Sequence, residues 1–98
     1  MKTYLIQRTL PHAGKLSMAE QKSIAQRSCD VIKELGNENL QWLQTYITKD
    51  NLWCIYKANS EEILVEHAER GPFPLDNILE VFGTFSPATA TIELESVA

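Results

Sequence analysis

The stretch 39–58 constrains the fold more than any other part of the chain. Between Asn39 and Thr48, Trp42, Tyr46 and Thr48 alternate with Leu43, Thr45 and Ile47, and a second alternating run extends from Leu52 to Ala58. Alternation of this kind belongs to strands, whose successive side chains point to opposite faces of a sheet. Only Lys49-Asp50-Asn51 separates the two runs, and its Asp-Asn pair suits a tight turn. The chain therefore doubles back here as a β-hairpin, and the flanking segments must be arranged around it.

Each flank supplies one strand and one helix. Residues 2–9, Lys-Thr-Tyr-Leu-Ile-Gln-Arg-Thr, read as a first strand that stops at Leu10-Pro11-His12-Ala13-Gly14. Ser17-Met18-Ala19-Glu20 is a capping box and opens a helix over 18–35, in which Ile24, Ser28, Val31, Ile32 and Leu35 share a face and Gly36 closes the last turn. After the hairpin, Asn59-Ser60-Glu61-Glu62 caps a helix over 61–70, with Ile63, Leu64, His67 and Ala68 on one side and Gly71-Pro72-Phe73-Pro74 as its stop. Alternation returns from Asn77 to Phe85 as a fourth strand. In the tail, Thr91-Ile92-Glu93-Leu94-Glu95 reads as a short edge strand.

Strand, helix, hairpin, helix, strand is the β-α-β-β-α-β order of the ferredoxin-like fold, an α+β sandwich. Right-handed crossovers give a four-stranded antiparallel sheet in the order 4-1-3-2 with both helices on one face. The 98 residues make one domain, with a core over about 2–86 and a tail over 87–98. Leu5, Leu43, Ile47, Ile55, Leu79 and Val81, the more aliphatic set, are expected under the helices. The opposite set, Tyr4, Ile6, Arg8, Trp42, Tyr46, Cys54, Tyr56, Ile78, Glu80 and Phe82, would then be bare, and an aromatic surface of that kind calls for a two-fold partner. A homodimer is expected, with a cover formed by the tail or by another protein as the alternative.

Composition narrows the partners. The formal net charge is −4 and the nine basic residues are dispersed, so the chain has no cationic stripe for nucleic acid or anionic lipid. No apolar run approaches the roughly 18 residues of a bilayer span, and Met1-Lys2 leads directly into a strand rather than a signal segment. A cytoplasmic protein follows, in which Cys29 and Cys54 are free thiols.

For chemistry, Gln7 and Thr45 on strands, Cys29 on the first helix and His67 on the second are the polar groups expected to converge between sheet and helices. Such a pocket would hold a small molecule or a metal, with His67 the titratable member. No H-x-x-x-H, H-E-x-x-H or C-x-x-C is present, so any metal site must be assembled from distant residues or across a dimer. The chain also lacks a G-x-S-x-G elbow and a phosphate-cradling glycine loop.

Several segments resemble a known family: Tyr4 to Ser17, Gln41 to Thr48, Cys54-Ile55-Tyr56 with Ala58, and Glu66-His67-Ala68 leading into Gly71-Pro72-Phe73-Pro74. It is a family of small bacterial proteins of unknown function that includes an actinobacterial nickel-binding protein, and the resemblance spans about residues 3–90. It implies a dimeric ferredoxin-like α/β barrel and a divalent transition metal such as nickel as ligand. The family's strand-one Glu is Gln7 here and its strand-two Ser is Thr45; losing the carboxylate removes a hard-metal ligand or a general base. The first functional expectation is a non-enzymatic dimer binding a small ligand or metal. Its alternatives are a small cofactor-free enzyme with His67 as general base, by analogy of architecture, and a structural or regulatory interaction module.

Overall fold

The computed structural model describes residues 1–94. Its elements are β1 (Lys2–Thr9), α1 (Met18–Leu35), β2 (Leu40–Ile47), β3 (Asn51–Ala58), α2 (Glu61–Arg70) and β4 (Asn77–Val81), with 3-10 turns at Ala13–Lys15 and Pro87–Thr91. The helices start where their caps place them. The Ser17 hydroxyl accepts from the Glu20 N–H at 3.1 Å, and the Ser17 N–H donates to the Glu20 carboxylate at 3.0 Å. Those bonds to Ser17 hold the Glu20 carboxyl below its usual range. Ser60 accepts from the Ile63 N–H to cap α2, and Gly36, at φ 96°, ends α1 in a conformation that side chains resist.

The sheet is antiparallel throughout, in the order β2-β3-β1-β4. Its hairpin turns on Lys49-Asp50, closed by the Thr48 N–H donating to the Asn51 carbonyl at 2.9 Å. The segment 10–16 folds back onto this turn: the Leu10 N–H reaches the Asp50 carbonyl, the His12 N–H the Asp50 carboxylate and the Gly14 N–H the Lys49 carbonyl.

On β1, β3 and β4 the faces are the reverse of the expected assignment, whereas Tyr46 and Ile47 at the end of β2 face as expected. Tyr4, Ile6, Arg8, Leu52, Cys54 and Tyr56 are buried on the helix side, together with Leu40, Ala58, Val31, Ile32, Leu64 and Ala68. Leu5, Ile55, Leu79 and Val81 lie on the open side. Both sets are apolar, so alternation separates them without saying which is inside. Side-chain volume decides. The inward positions of α1 and α2 include the small Ser28 and Ala68, which leave room beneath the helices for the large Tyr4 and Tyr56.

Strand β2 adds a second correction. Trp42 pairs with Tyr56 but Gln44 pairs with Ile55, so Leu43 is an extra residue in a β-bulge. Beyond it the facing flips: Thr45 and Ile47 join Trp42 on the helix side, and Tyr46 turns to the open side opposite Trp53. The expected dimer set therefore splits. Tyr4, Arg8, Cys54 and Tyr56 lie beneath the helices of their own chain, Trp42 and Glu80 share that side, and Tyr46 alone projects from the open side.

Strand β4 ends at Val81 rather than Phe85. Val81 pairs with Thr3, near the start of β1, so β1 offers little backbone for a longer partner. Phe82, also expected on the dimer face, is 90% exposed beyond the strand. Residues 82–94 are exposed throughout, and the molecule measures 53 × 30 × 21 Å. The expected edge strand is not formed: Thr91 ends a 3-10 turn, 92–94 have no regular structure, and Glu95 lies outside the described residues.

Candidate ligand-binding site

The bulge and the lie of α1 together open a cavity of about 390 Å³ between α1 and the helix side of the sheet. Its floor comes from Arg8 on β1, from Trp42, Thr45 and Ile47 on β2, and from Leu52, Cys54 and Tyr56 on β3. Ile24, Ala25 and Ser28 of α1 form the roof, and Phe73 and Pro74 close one end. Without the bulge, Trp42 and Thr45 would face opposite ways. With it, the Trp42 indole N–H donates to the Thr45 hydroxyl at 2.9 Å, which fixes the indole as a wall of the cavity. The volume falls within the roughly 300–1,000 Å³ of small-molecule sites, and the lining is mainly apolar with a few polar groups, as such sites are.

Arg8 is the most costly of those groups. Only 2% of the residue is exposed; one terminal nitrogen donates to the Pro74 carbonyl at 2.7 Å, and the other has no partner among the described residues. No carboxylate pairs with it: the ion pairs among the described residues are Lys2–Glu80, Arg70–Glu34 and Arg70–Glu66. The guanidinium carbon lies 5.9 Å from the Tyr56 ring centre and 5.3 Å from that of Phe73. Such ring contacts contribute roughly 0.5–2 kcal/mol each, whereas burying an unpaired ion costs several kcal/mol. Arg27 of α1 also approaches Phe73, at 5.0 Å. Phe73 can lie there because residue 71 is glycine; a Cβ at Gly71 would collide with its ring.

His67 is wholly buried and is not part of the cavity wall. It reaches the site through Ser28, whose hydroxyl lies 3.1 Å from its Nε2, while its Nδ1 has no partner among the described residues. The imidazole stacks on Phe73 at 5.2 Å and meets Tyr56 edge-on at 5.5 Å. Burial first, and the Arg8 charge second, pull its pKa down to about 4, so it is neutral near pH 7. A base tuned so far below neutrality, and set off the cavity, is poorly matched to proton abstraction. This placement counts against His67 as a general base. Burial pushes the Tyr56 phenol up, so it too is uncharged.

The four residues expected to form a pocket do not come together. Thr45 lines the cavity and Ser28 links His67 to it, but Cys29 is exposed on α1, one helical step of about 100° from Ser28. Gln7 is on the open face. There it donates to Asn51 at 3.2 Å and accepts from Asn77 at 2.7 Å. Arg8, Arg27, Ser28 and Phe73 were not among the expected pocket residues. The signal for Arg8 was a lone charge at a position in phase with Tyr4 and Ile6; the other three depend on how α1 and the 71–76 loop cross the sheet. Among the described residues no three His, Cys, Asp or Glu side chains converge as metal ligands.

Residues 4–81 match the family described as nickel responsive protein SCO4226-like. Among solved structures, the crystal structure of SCO4226 from Streptomyces coelicolor A3(2) superposes with a TM-score of 0.71 at 19% sequence identity, covering 85% of this chain and 99% of that one. At this identity the likeness shows the fold alone. A comparison with curated proteins finds no match. Because the family match runs from the first strand through the last, the chain belongs to the SCO4226-like family of nickel responsive proteins.

Proposed function

We propose that the protein is a small-molecule-binding domain whose ligand occupies the cavity between α1 and the sheet, and that it works as a homodimer joined through its open sheet face. The cavity carries the reading: about 390 Å³ of space with mainly apolar walls, in a chain of only 98 residues. Water in an apolar cleft of that size has few hydrogen-bonding partners, and a ligand with an apolar body would displace it favourably. The open face supports the pairing. Tyr46 and Leu79 are each about half exposed there, beside Leu5, Trp53 and Ile55. A contiguous apolar surface of this kind is what two-fold interfaces cover. Among the described residues no helix is long and apolar enough to cross a membrane, and the two free thiols suit a reducing, cytoplasmic setting.

Nickel is the second reading, favoured by the family description. The chain's own residues do not fit it: no three metal-ligating side chains converge among the described residues, and the one orphaned imidazole nitrogen belongs to a ring that feels the charge of Arg8. A bound cation there would be repelled. Native mass spectrometry of the untagged full chain tests both readings. The expected spectrum is a dimer carrying an organic mass that Ala25→Phe, which fills the cavity, removes. A bare monomer would overturn the proposal, and a nickel adduct lost in His67→Ala would favour the second reading.

A further inference from the structure

Resting on the cavity as a ligand site, we infer that its ligand is a small organic anion, a carboxylate on an apolar body, with the charged end received at the Arg8 and Arg27 end of the cavity. Charge distribution is the first argument. The protein holds 13 acidic residues against nine basic ones, yet the cavity is lined by Arg8, Lys22 and Arg27 and by no Asp or Glu. An acidic protein that places three cations and no carboxylate around one hollow leaves a positive field in it, focused by the low-dielectric walls.

The second argument is that Arg8 is incomplete. It is 98% buried by its 2% exposure, lines the cavity, and leaves one terminal nitrogen without a partner among the described residues. A buried guanidinium is normally matched by a carboxylate, often through two parallel hydrogen bonds. None of the surrounding groups supplies that charge. Tyr56 stays a neutral phenol, and the Pro74 carbonyl offers only a dipole. A ligand carboxylate is the chemical complement of what is missing.

The remaining wall defines the rest of the molecule. Apolar side chains make up most of the remaining lining, among them Leu10, Leu16, Ile24 and Leu52, the last directly across from Arg8 on β3, so the body of the ligand is a hydrocarbon chain or ring. A bare inorganic anion would leave that surface unfilled. Phe73 shields Arg8 at the charged end and lies on the irregular 71–76 segment, so a shift of this ring gives the carboxylate its access.

Calorimetric titration of the full chain with two matched pairs, octanoate against octanamide and phenylacetate against phenylacetamide, tests the inference. In at least one pair the acid should bind about tenfold or more tightly than its amide, the factor expected for a charge-assisted bond made in place of a neutral one. Arg8→Met should abolish that preference while amide binding persists. Arg27→Gln, on a surface where folding is not at stake, should reduce it about threefold, which keeps the test decisive if Arg8→Met does not fold. Equal binding of acid and amide would overturn the anion while leaving the cavity site intact. Failure of all four to bind at millimolar concentration would remove both.

Discussion

Gln7 and Arg8 follow one another on β1, yet they point to opposite sides of the sheet and meet opposite conditions. Gln7, on the open face, is gripped by Asn51 and Asn77 and has its amide satisfied from both ends. Arg8, on the helix side, is almost wholly buried and holds one carbonyl for two terminal nitrogens. At Gln7 the open face is thus hydrogen-bonded by its own side chains. The inner face is packed but polar-incomplete at one spot, and that spot adjoins the cavity. Incomplete hydrogen bonding, more than polarity itself, separates a binding site from a structural layer.

The sharpest way to break this comparison is to truncate one residue on each side. Ile6→Ala, at a position with no exposure, is expected to cost about 2–5 kcal/mol in denaturant unfolding. Ile55→Ala on the open face should cost less than about 1.5 kcal/mol in dilute protein, with the loss growing at higher concentration if the face is shared by two copies. Equal losses at both positions, independent of concentration, would mean that the two faces are not distinct.

Acid should act on the inner face first. His67 is held neutral with its pKa down at about 4, while in the unfolded chain it titrates near 6.5. Between those values the unfolded state takes up a proton that the folded state refuses, so stability is complete above about pH 6.5 and falls as pH drops towards 4. The loss is on the order of 3 kcal/mol. Unfolding curves across that range should show the slope, and His67→Gln should flatten it. A variant with the slope unchanged would place the sensitivity elsewhere. The smallest effect belongs to the open face: Gln7→Leu, which leaves two asparagines with water as a substitute partner, should change stability by about 1 kcal/mol or less. A larger drop would show that the Asn51-Gln7-Asn77 ladder is sealed from solvent.

Much of the fold was legible because its punctuation is local. The Ser17–Glu20 box, Ser60, Gly36 and the Gly71–Pro74 stop place both helices at their observed bounds, and the hairpin fixes how the strands must be joined. What was not legible depends on neighbours distant in sequence. Neither Gly nor Pro marks Leu43, so the bulge that turns Thr45 inward and Tyr46 outward is set by pairing with β3. The end of β4 is set by where β1 starts. Choosing the inner face required knowing that Ser28 and Ala68 leave room for Tyr56 and its neighbours, which alternation does not encode. The candidate site depends on the same neighbours: Thr45 lines the cavity, Gln7 lies on the open face, Cys29 is exposed, and Arg8, expected on the dimer face, is buried beneath the helices.

The exposed segment 82–94 lies outside the core of this arrangement. None of its residues is buried, and the family match stops at Val81, so the core and the cavity are complete before it begins. Changes of length or composition there escape the constraints that packing imposes on the rest of the chain. It is the natural place to attach a fluorophore or a fused domain, and a stretch where related sequences can diverge without disturbing the core.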